Sequence, residues 1–206
     1  MTLAEAPGLY LGFASLHVLA GHLGSALVYR LRFRRSPLVL YRAAASPHQR
    51  ITRLVSVASL GWAAALVASA TSRAFRESPA GRPLFACPLA LGWALAAAGL
   101  ALMVASQISM GASFRVGQDP RDPPAELRRR GLHAICRNPI YVGSWTFLLG
   151  MTLWHPSAAL LALCAAVGLG IHGLVLAEER FLRARFGAAF DAYCRATPRY
   201  LPGGRR

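Results

Sequence analysis

Residues 131–145 read GLHAICRNPIYVGSW, and they join a polar segment to an apolar one. Three arginines at 128–130 come just before, and the apolar run 140–154 follows. Pro139 suits a first helical turn, where its missing N–H costs nothing. It also disfavours helical geometry at Asn138. The stretch therefore predicts an apolar helix that begins at a polar boundary.

The bulk composition favours a membrane protein. Of the 206 residues, 55% are hydrophobic, which is more than an ordinary soluble domain contains. The net charge is +15, and all 23 basic residues are arginines. These arginines lie between apolar runs and not on one helix face, so we expect no nucleic-acid partner and instead expect contact with membrane lipid.

Apolar runs divide the chain into membrane spans. The fourth run has 15 residues and reaches about 22 Å as a helix, short of a full crossing. Pro156 and Ser157 separate it from the fifth, which predicts a tight helical hairpin. The predicted fold is an all-α integral membrane protein with about five transmembrane helices, a short hairpin and a cytoplasmic C-terminal helical tail. The five runs lie at 9–29, 54–72, 84–108, 140–154 and 157–177.

The distribution of arginine predicts an orientation. Segments 30–53 and 109–139 and the tail after Ala177 are rich in arginine, whereas the hairpin tip at His155 carries no formal charge. Arginine-rich segments stay on the cytoplasmic side of a membrane. We therefore expect a multi-pass protein of a bacterial inner membrane, with its N-terminus outside and its C-terminus in the cytoplasm.

Histidine and cysteine give little sign of a metal site. His17 and His22 lie in the first run, where they either join helices by hydrogen bonds or contact a haem or substrate. A spacing of five residues places them on different helix faces, which favours the first reading. The four cysteines form no CxxC pair, and we expect no metal.

Polar residues concentrate in 109–141 and 178–202, on either side of the hairpin. Glu178 and Glu179 lie at the end of the fifth run, where a buried carboxylate is costly without a partner. The dipole at a helix C-terminus also disfavours negative charge. This acidic pair therefore needs a cation, which is either an arginine such as Arg137 or a positively charged ligand group.

Several short motifs occur in a fixed order in this half of the chain. They are SMGASFRVGQD at 109–119, RNPIYVG at 137–143, EERFL at 178–182, then FG, AYC and RYLP up to residue 202. The ordered set resembles the isoprenylcysteine carboxyl methyltransferase family, in its bacterial membrane branch. The resemblance implies a single domain, 1–206, whose part 109–206 forms a cofactor-binding methyltransferase core.

The resemblance implies S-adenosylmethionine as the cofactor, held at the cytosolic side. Glu178 would take its ammonium through a charge-assisted bond. Tyr141 and the first amides of the fourth helix would take its carboxylate or ribose hydroxyls. The matching cofactor positions are Gln118, Ala125, Glu126, Leu127, Arg128, His133, Asn138, Pro139, Ile140, Tyr141 and Glu178.

Two positions depart from the family pattern. Asn138 replaces a histidine, so it either contacts adenine or only caps the fourth helix, and it cannot transfer protons. Leu174 stands where eukaryotic members have a substrate-contacting arginine, and His172 is the nearest polar group. This leaves the acceptor open while the cofactor positions still match.

The implied reaction is methyl transfer to a lipophilic acceptor that carries a carboxylate, thiol or amine. Arg195, Arg199 and Tyr200 are candidates for orienting that acceptor, or alternatively for binding lipid headgroups. Two other functions stay open: an NADPH-dependent reductase of the sterol reductase type, which shares the Tyr-Cys…Arg…Pro ending, and a non-enzymatic membrane scaffold. The sequence predicts no oligomeric state and names no catalytic residue.

Overall fold

A computed structural model describes residues 12, 30, 31, 34, 47–111, 124 and 126–201 of the chain. Regular structure in this part is helical, with no β-strand. Except for Gly12, the predicted first span at 9–29 lies outside these residues, and so do Gln118 and Ala125. The helices are α1 (Pro47–Thr71), α2 (Arg73–Glu77), α3 (Leu89–Met110), α4 (Leu132–Ile135), α5 (Pro139–Leu153), α6 (Ala158–Phe186) and α7 (Ala188–Ala196).

Three of these helices are long and apolar enough to cross a membrane. They comprise His48–Thr71 of α1, the whole of α3 and the whole of α6. Helix α5 is apolar but has only 15 residues, as predicted for the fourth run. The predicted all-helical membrane class is therefore confirmed for this part of the chain.

Two helices begin elsewhere than predicted. Helix α1 begins at Pro47, so Arg50 and Arg53 lie on a helix and not in the predicted loop. Helix α3 begins at Leu89, five residues after the predicted start of the third run. Pro88 explains the delay because it is the N-cap, with an extended backbone, and proline disfavours helical geometry in the residue before it.

Helix α6 continues well beyond the predicted end of the fifth run at residue 177. It ends at Phe186, where Gly187 adopts a φ of 51° and its amide donates to the Arg183 carbonyl. Glu178 and Glu179 therefore lie inside a helix. The argument that a helix C-terminus repels them was wrong, because the basic residues after them continue the helix.

The hairpin between α5 and α6 is confirmed. Ser157 is the N-cap of α6, and its hydroxyl accepts a hydrogen bond from the Leu160 amide. The His155 ring lies beside it and donates from Nε2 to the Gly81 carbonyl at 2.6 Å. The segment between α2 and α3 thus closes this end of the bundle.

Helices α3 and α5 pack so closely that their backbones touch. A Cβ atom at Gly143 would lie 2.7 Å from the Gly99 carbonyl oxygen and 2.8 Å from the Met103 amide nitrogen. Gly92 and Ala96, four residues apart on α3, belong to the same interface, where Ala96 is fully buried against α5. Small residues permit such an approach and favour van der Waals packing in a membrane.

Helix α1 packs antiparallel along α6. Ile51 meets Gly173 and Val55 meets Gly170, while the Trp62 indole donates to the Thr152 hydroxyl of α5 at 3.0 Å. Helix α1 therefore completes the core around the hairpin. The core includes Trp62, Leu66, Phe147, Met151, Leu160, Val167 and Ile171.

We predict that Gly143→Ala destabilises the protein. The added methyl group meets two backbone atoms that cannot move independently, and overpacking of this kind costs about 1–3 kcal/mol. The midpoint of thermal unfolding in detergent should fall. Gly61→Ala is the matched control, because its Cβ would lie 3.5 Å from a flexible Leu163 methyl group. Equal midpoints for the two variants would contradict the close packing.

Candidate functional site

The C-terminal tail, residues 187–201, lies against residues 131–138, which lead into α5. The Arg137 amide donates to the Pro198 carbonyl at 2.9 Å, and the Tyr193 hydroxyl donates to the His133 carbonyl at 2.6 Å. The Cys136 thiol donates to the Arg199 carbonyl at 3.5 Å. The polar segments that lie on either side of the hairpin in the sequence therefore meet at its open end, opposite the turn at His155.

Glu179 is held at the centre of this contact by two arginines. It is 5% exposed, and its carboxylate accepts from the Arg137 guanidinium at 3.0 Å and from the Arg199 guanidinium at 2.8 Å. Arg137 is 9% exposed and also donates to the carbonyls of Cys194 and Thr197. The predicted arginine partners thus neutralise Glu179, and Arg199 is engaged in this ion pair.

Asn138 belongs to the same network. It occupies the N-cap position of α5, yet its side chain makes no capping hydrogen bond. Its amide donates instead to Glu179 at 3.4 Å and to the Arg199 carbonyl at 3.2 Å. The reading of Asn138 as a simple helix cap is therefore wrong, since this buried side chain connects the tail to α6.

Glu178 has a different environment from its neighbour. Its carboxylate accepts a hydrogen bond from the Tyr141 hydroxyl at 3.0 Å. Among the described residues, no cationic side chain lies within 4.0 Å of it. Successive residues on a helix point about 100° apart, so Glu179 faces the tail while Glu178 faces α5. One carboxylate is thus paired with cations, and the other has only a phenol.

The rings of Tyr200, His172 and Trp145 form a cluster near the hydrogen bond between Tyr141 and Glu178. The Tyr200 hydroxyl lies 2.6 Å from Nδ1 of His172, and the Tyr200 ring packs edge-on against Trp145 at 4.6 Å between centroids. Trp145 is one turn after Tyr141 on α5, so the two side chains share a helix face. Burial raises the pKa of Tyr200, which keeps its hydroxyl protonated. With the His172 tautomer that leaves Nδ1 unprotonated, Tyr200 donates to it.

The other predicted cofactor residues are spread more widely. Glu126 is exposed, Leu127 packs against the cluster of Phe190, Tyr193 and Cys194, and Arg128 donates to the Met110 carbonyl at 2.9 Å. Arg195 is exposed. Arg128 thus contacts α3 and Leu127 contacts α7, and no hydrogen bond or ion pair among the described residues joins these positions to Glu178.

His133 lies near the end of α3, with Nδ1 3.4 Å from the Ser109 hydroxyl. Burial and the nearby Arg128 charge both lower the pKa of His133, so its ring is neutral at physiological pH. Pro139 and Ile140 form the first turn of α5, as predicted, and Pro139 is buried. In the described part of the chain, no group of three or more His, Cys, Asp or Glu residues could hold a metal ion.

Several important residues were absent from the predicted site. Arg137 and Glu179 were named only as a possible ion pair, and Trp145 was not singled out. The sequence signal for Glu179 was its position in an apolar helix, which requires a buried cation nearby. Trp145 gave no signal, because an aromatic residue in an apolar helix is usually a packing residue.

In the described part of the chain, a helical bundle with three apolar helices of membrane length is typical of an integral membrane protein. The family model for phospholipid methyltransferases matches residues 87–189, which is half of the chain. The chain belongs to the phospholipid methyltransferase family, which is related to the isoprenylcysteine carboxyl methyltransferases. Members are membrane methyltransferases that generally use S-adenosylmethionine.

One curated relative is the nickel-cobalt-cadmium resistance protein NccN of Alcaligenes xylosoxydans xylosoxydans. It is 31% identical over 77 residues, which cover 37% of this chain and 36% of the relative. The chain thus matches only about a third of that protein's length. No solved structure matches the chain.

We predict that Glu179→Gln loosens the tail. Removing the charge leaves the buried Arg137 guanidinium facing Arg199, and breaking a buried pair costs about 3–5 kcal/mol. Trypsin should then cleave the tail at Arg195 and Arg199 much faster. Arg183→Met is the control, since its pair with Asp191 is exposed and contributes at most about 1 kcal/mol. Equal cleavage of both variants would contradict the role of Glu179.

Proposed function

We propose that this protein transfers a methyl group from S-adenosylmethionine to a lipophilic acceptor, with the cofactor held at the mouth of the α5–α6 hairpin. The observation that carries the proposal is the contrast between two adjacent glutamates. Glu179 is neutralised by Arg137 and Arg199, whereas Glu178 has only the Tyr141 hydroxyl among the described residues. Glu178 is thus the carboxylate left to bind a cationic ligand.

The cofactor supplies that cation. S-adenosylmethionine has an ammonium group and a sulfonium group, and the ammonium forms strong charge-assisted hydrogen bonds with a carboxylate. Tyr141 holds one oxygen of Glu178 and leaves the rest of the carboxylate for the ligand. The Coulomb attraction between a carboxylate and a cation is stronger in a partly buried site than in water, because the local dielectric is lower.

The start of α5 offers fewer free donors than predicted. The amides of Tyr141 and Val142 both donate to the Asn138 carbonyl at 3.1 Å. We therefore expect the ligand carboxylate and ribose to be bound mainly by side chains. Gln118 and Ala125, which the family resemblance assigns to the cofactor, lie outside the described residues and stay predictions.

The acceptor is proposed to reach the site from the bilayer. Glu178 is part of α6, an apolar helix of membrane length, and Tyr141 is in the apolar helix α5. A site between such helices is accessible to an amphiphile whose tail stays in lipid. Leu174 is buried at the family's arginine position, so a cationic clamp for an acceptor carboxylate is missing from that position.

We predict that the purified protein in detergent binds S-adenosylhomocysteine, and that Glu178→Gln weakens binding by about 10- to 100-fold. A hydrogen bond to a charged group contributes about 1.5–3 kcal/mol, which corresponds to this range. Isothermal titration calorimetry measures both affinities. Glu77→Gln is the control, because Glu77 is exposed and pairs with Arg73 on α2, apart from the site.

Unchanged affinity for S-adenosylhomocysteine in Glu178→Gln would show that Glu178 does not bind the cofactor. Absence of binding by the folded wild-type protein would contradict the methyltransferase proposal itself. Folding of each variant is checked by its thermal unfolding in the same detergent.

A further inference from the structure

The ring cluster at Tyr200 has a chemical capacity that cofactor binding does not use. A phenol that donates to an imidazole forms a chain through which a proton can move. Tyr200 comes from the tail, His172 from α6 and Trp145 from α5. Three separate segments therefore meet at this cluster. The hydrogen bond between Tyr200 and His172 is 2.6 Å long, which is short for such a pair.

The position of this pair relates it to Glu178. Tyr141 bonds Glu178, and Trp145, one turn later on the same face of α5, packs on Tyr200. Glu178 and Tyr200 thus contact residues on adjacent turns of one face of α5.

We propose that Tyr200 is a catalytic residue that takes the proton lost by the methyl acceptor and passes its own proton to His172. This inference rests on the proposed function. It narrows the acceptor to a group that still carries a proton when it attacks, namely an amine, a hydroxyl or a thiol. A carboxylate has no such proton and needs no base.

The reaction forms one bond to the methyl carbon, breaks one, and moves two protons. The acceptor heteroatom uses its electron pair to form a bond to the sulfonium methyl carbon, and the carbon–sulfur bond breaks, leaving its electrons on sulfur. The acceptor's proton moves to the Tyr200 oxygen, and the Tyr200 hydroxyl proton moves to Nδ1 of His172. The products are S-adenosylhomocysteine, the methylated acceptor and an imidazolium, which later loses its proton to water.

Neighbouring groups make Tyr200 suited to this role. Arg199, Glu179, Cys136 and Arg137 are the charged or titratable groups that act on it. Because Glu179 pairs with both arginines, these charges largely compensate one another, and Tyr200 is left as a neutral phenol. His172 acts through Tyr200 and is a positioning and proton-accepting residue.

The first test identifies the chemical class of the acceptor and does not require the acceptor itself to be known. Protein in detergent is given methyl-labelled S-adenosylmethionine and a total membrane lipid extract of the organism that makes it. Labelled lipid is then treated with alkali, which releases methanol from a methyl ester but leaves methylated amines, ethers and thioethers intact. We expect alkali-stable label. Alkali-labile label overturns this inference and leaves the proposed function standing.

The second test uses variants at the pair. Tyr200→Phe should lower kcat about 100-fold, within the usual range for general acid–base groups, with unchanged affinity for S-adenosylhomocysteine. His172→Asn keeps an acceptor near the position of Nδ1 for the Tyr200 hydroxyl but cannot take up a proton, so it should lower kcat at least 10-fold. A purely structural contact predicts instead that His172→Asn has wild-type kcat.

Wild-type kcat in His172→Asn or in Tyr200→Phe, with affinity for S-adenosylhomocysteine intact, overturns the inference. If the folded wild-type protein did not bind S-adenosylhomocysteine, that result would instead count against the proposed function. The two failures are therefore distinguishable.

Discussion

The buried ion pair of Glu179 with Arg137 and Arg199 is the interaction on which the rest of the site depends. Removing a carboxylate and a guanidinium from water costs several kcal/mol for each ion, so the network exists only because nearly every polar atom has a partner. Arg137 uses its remaining donors on two tail carbonyls, and Asn138 adds a bond to each side. Three segments distant in sequence are joined at one carboxylate.

This clamp also explains why two neighbouring acids have different chemistry. Arg137 and Arg199 both pair with Glu179. Glu178 points about 100° away on the same helix, and its partner is the Tyr141 phenol, with no cation beside it among the described residues. With the tail held in place, Tyr200 reaches His172 and Trp145. Cofactor binding and acceptor chemistry are thus proposed for neighbouring contacts on one face of α5, next to this ion pair.

Much of this arrangement could be predicted from the sequence, and the failures have physical causes. Pro156 and Ser157 act locally, so the hairpin was predictable. The length of α6 was not, because apolar periodicity stops at residue 177 while the arginines after it still favour helix. The separate roles of Glu178 and Glu179 were beyond prediction, since sequence adjacency does not show which partner each helix face meets.

The residues that complete the site lie beyond the segment that defines the family. The family match ends at residue 189, so it includes Arg137, Tyr141, Glu178 and Glu179 but excludes Arg199 and Tyr200. The carboxylate proposed for the cofactor is therefore in the shared part, and the phenol proposed for the acceptor is in the tail. The ion pair of Arg199 with Glu179 holds this tail against α6 and so joins the part that is shared with the family to the part beyond the match.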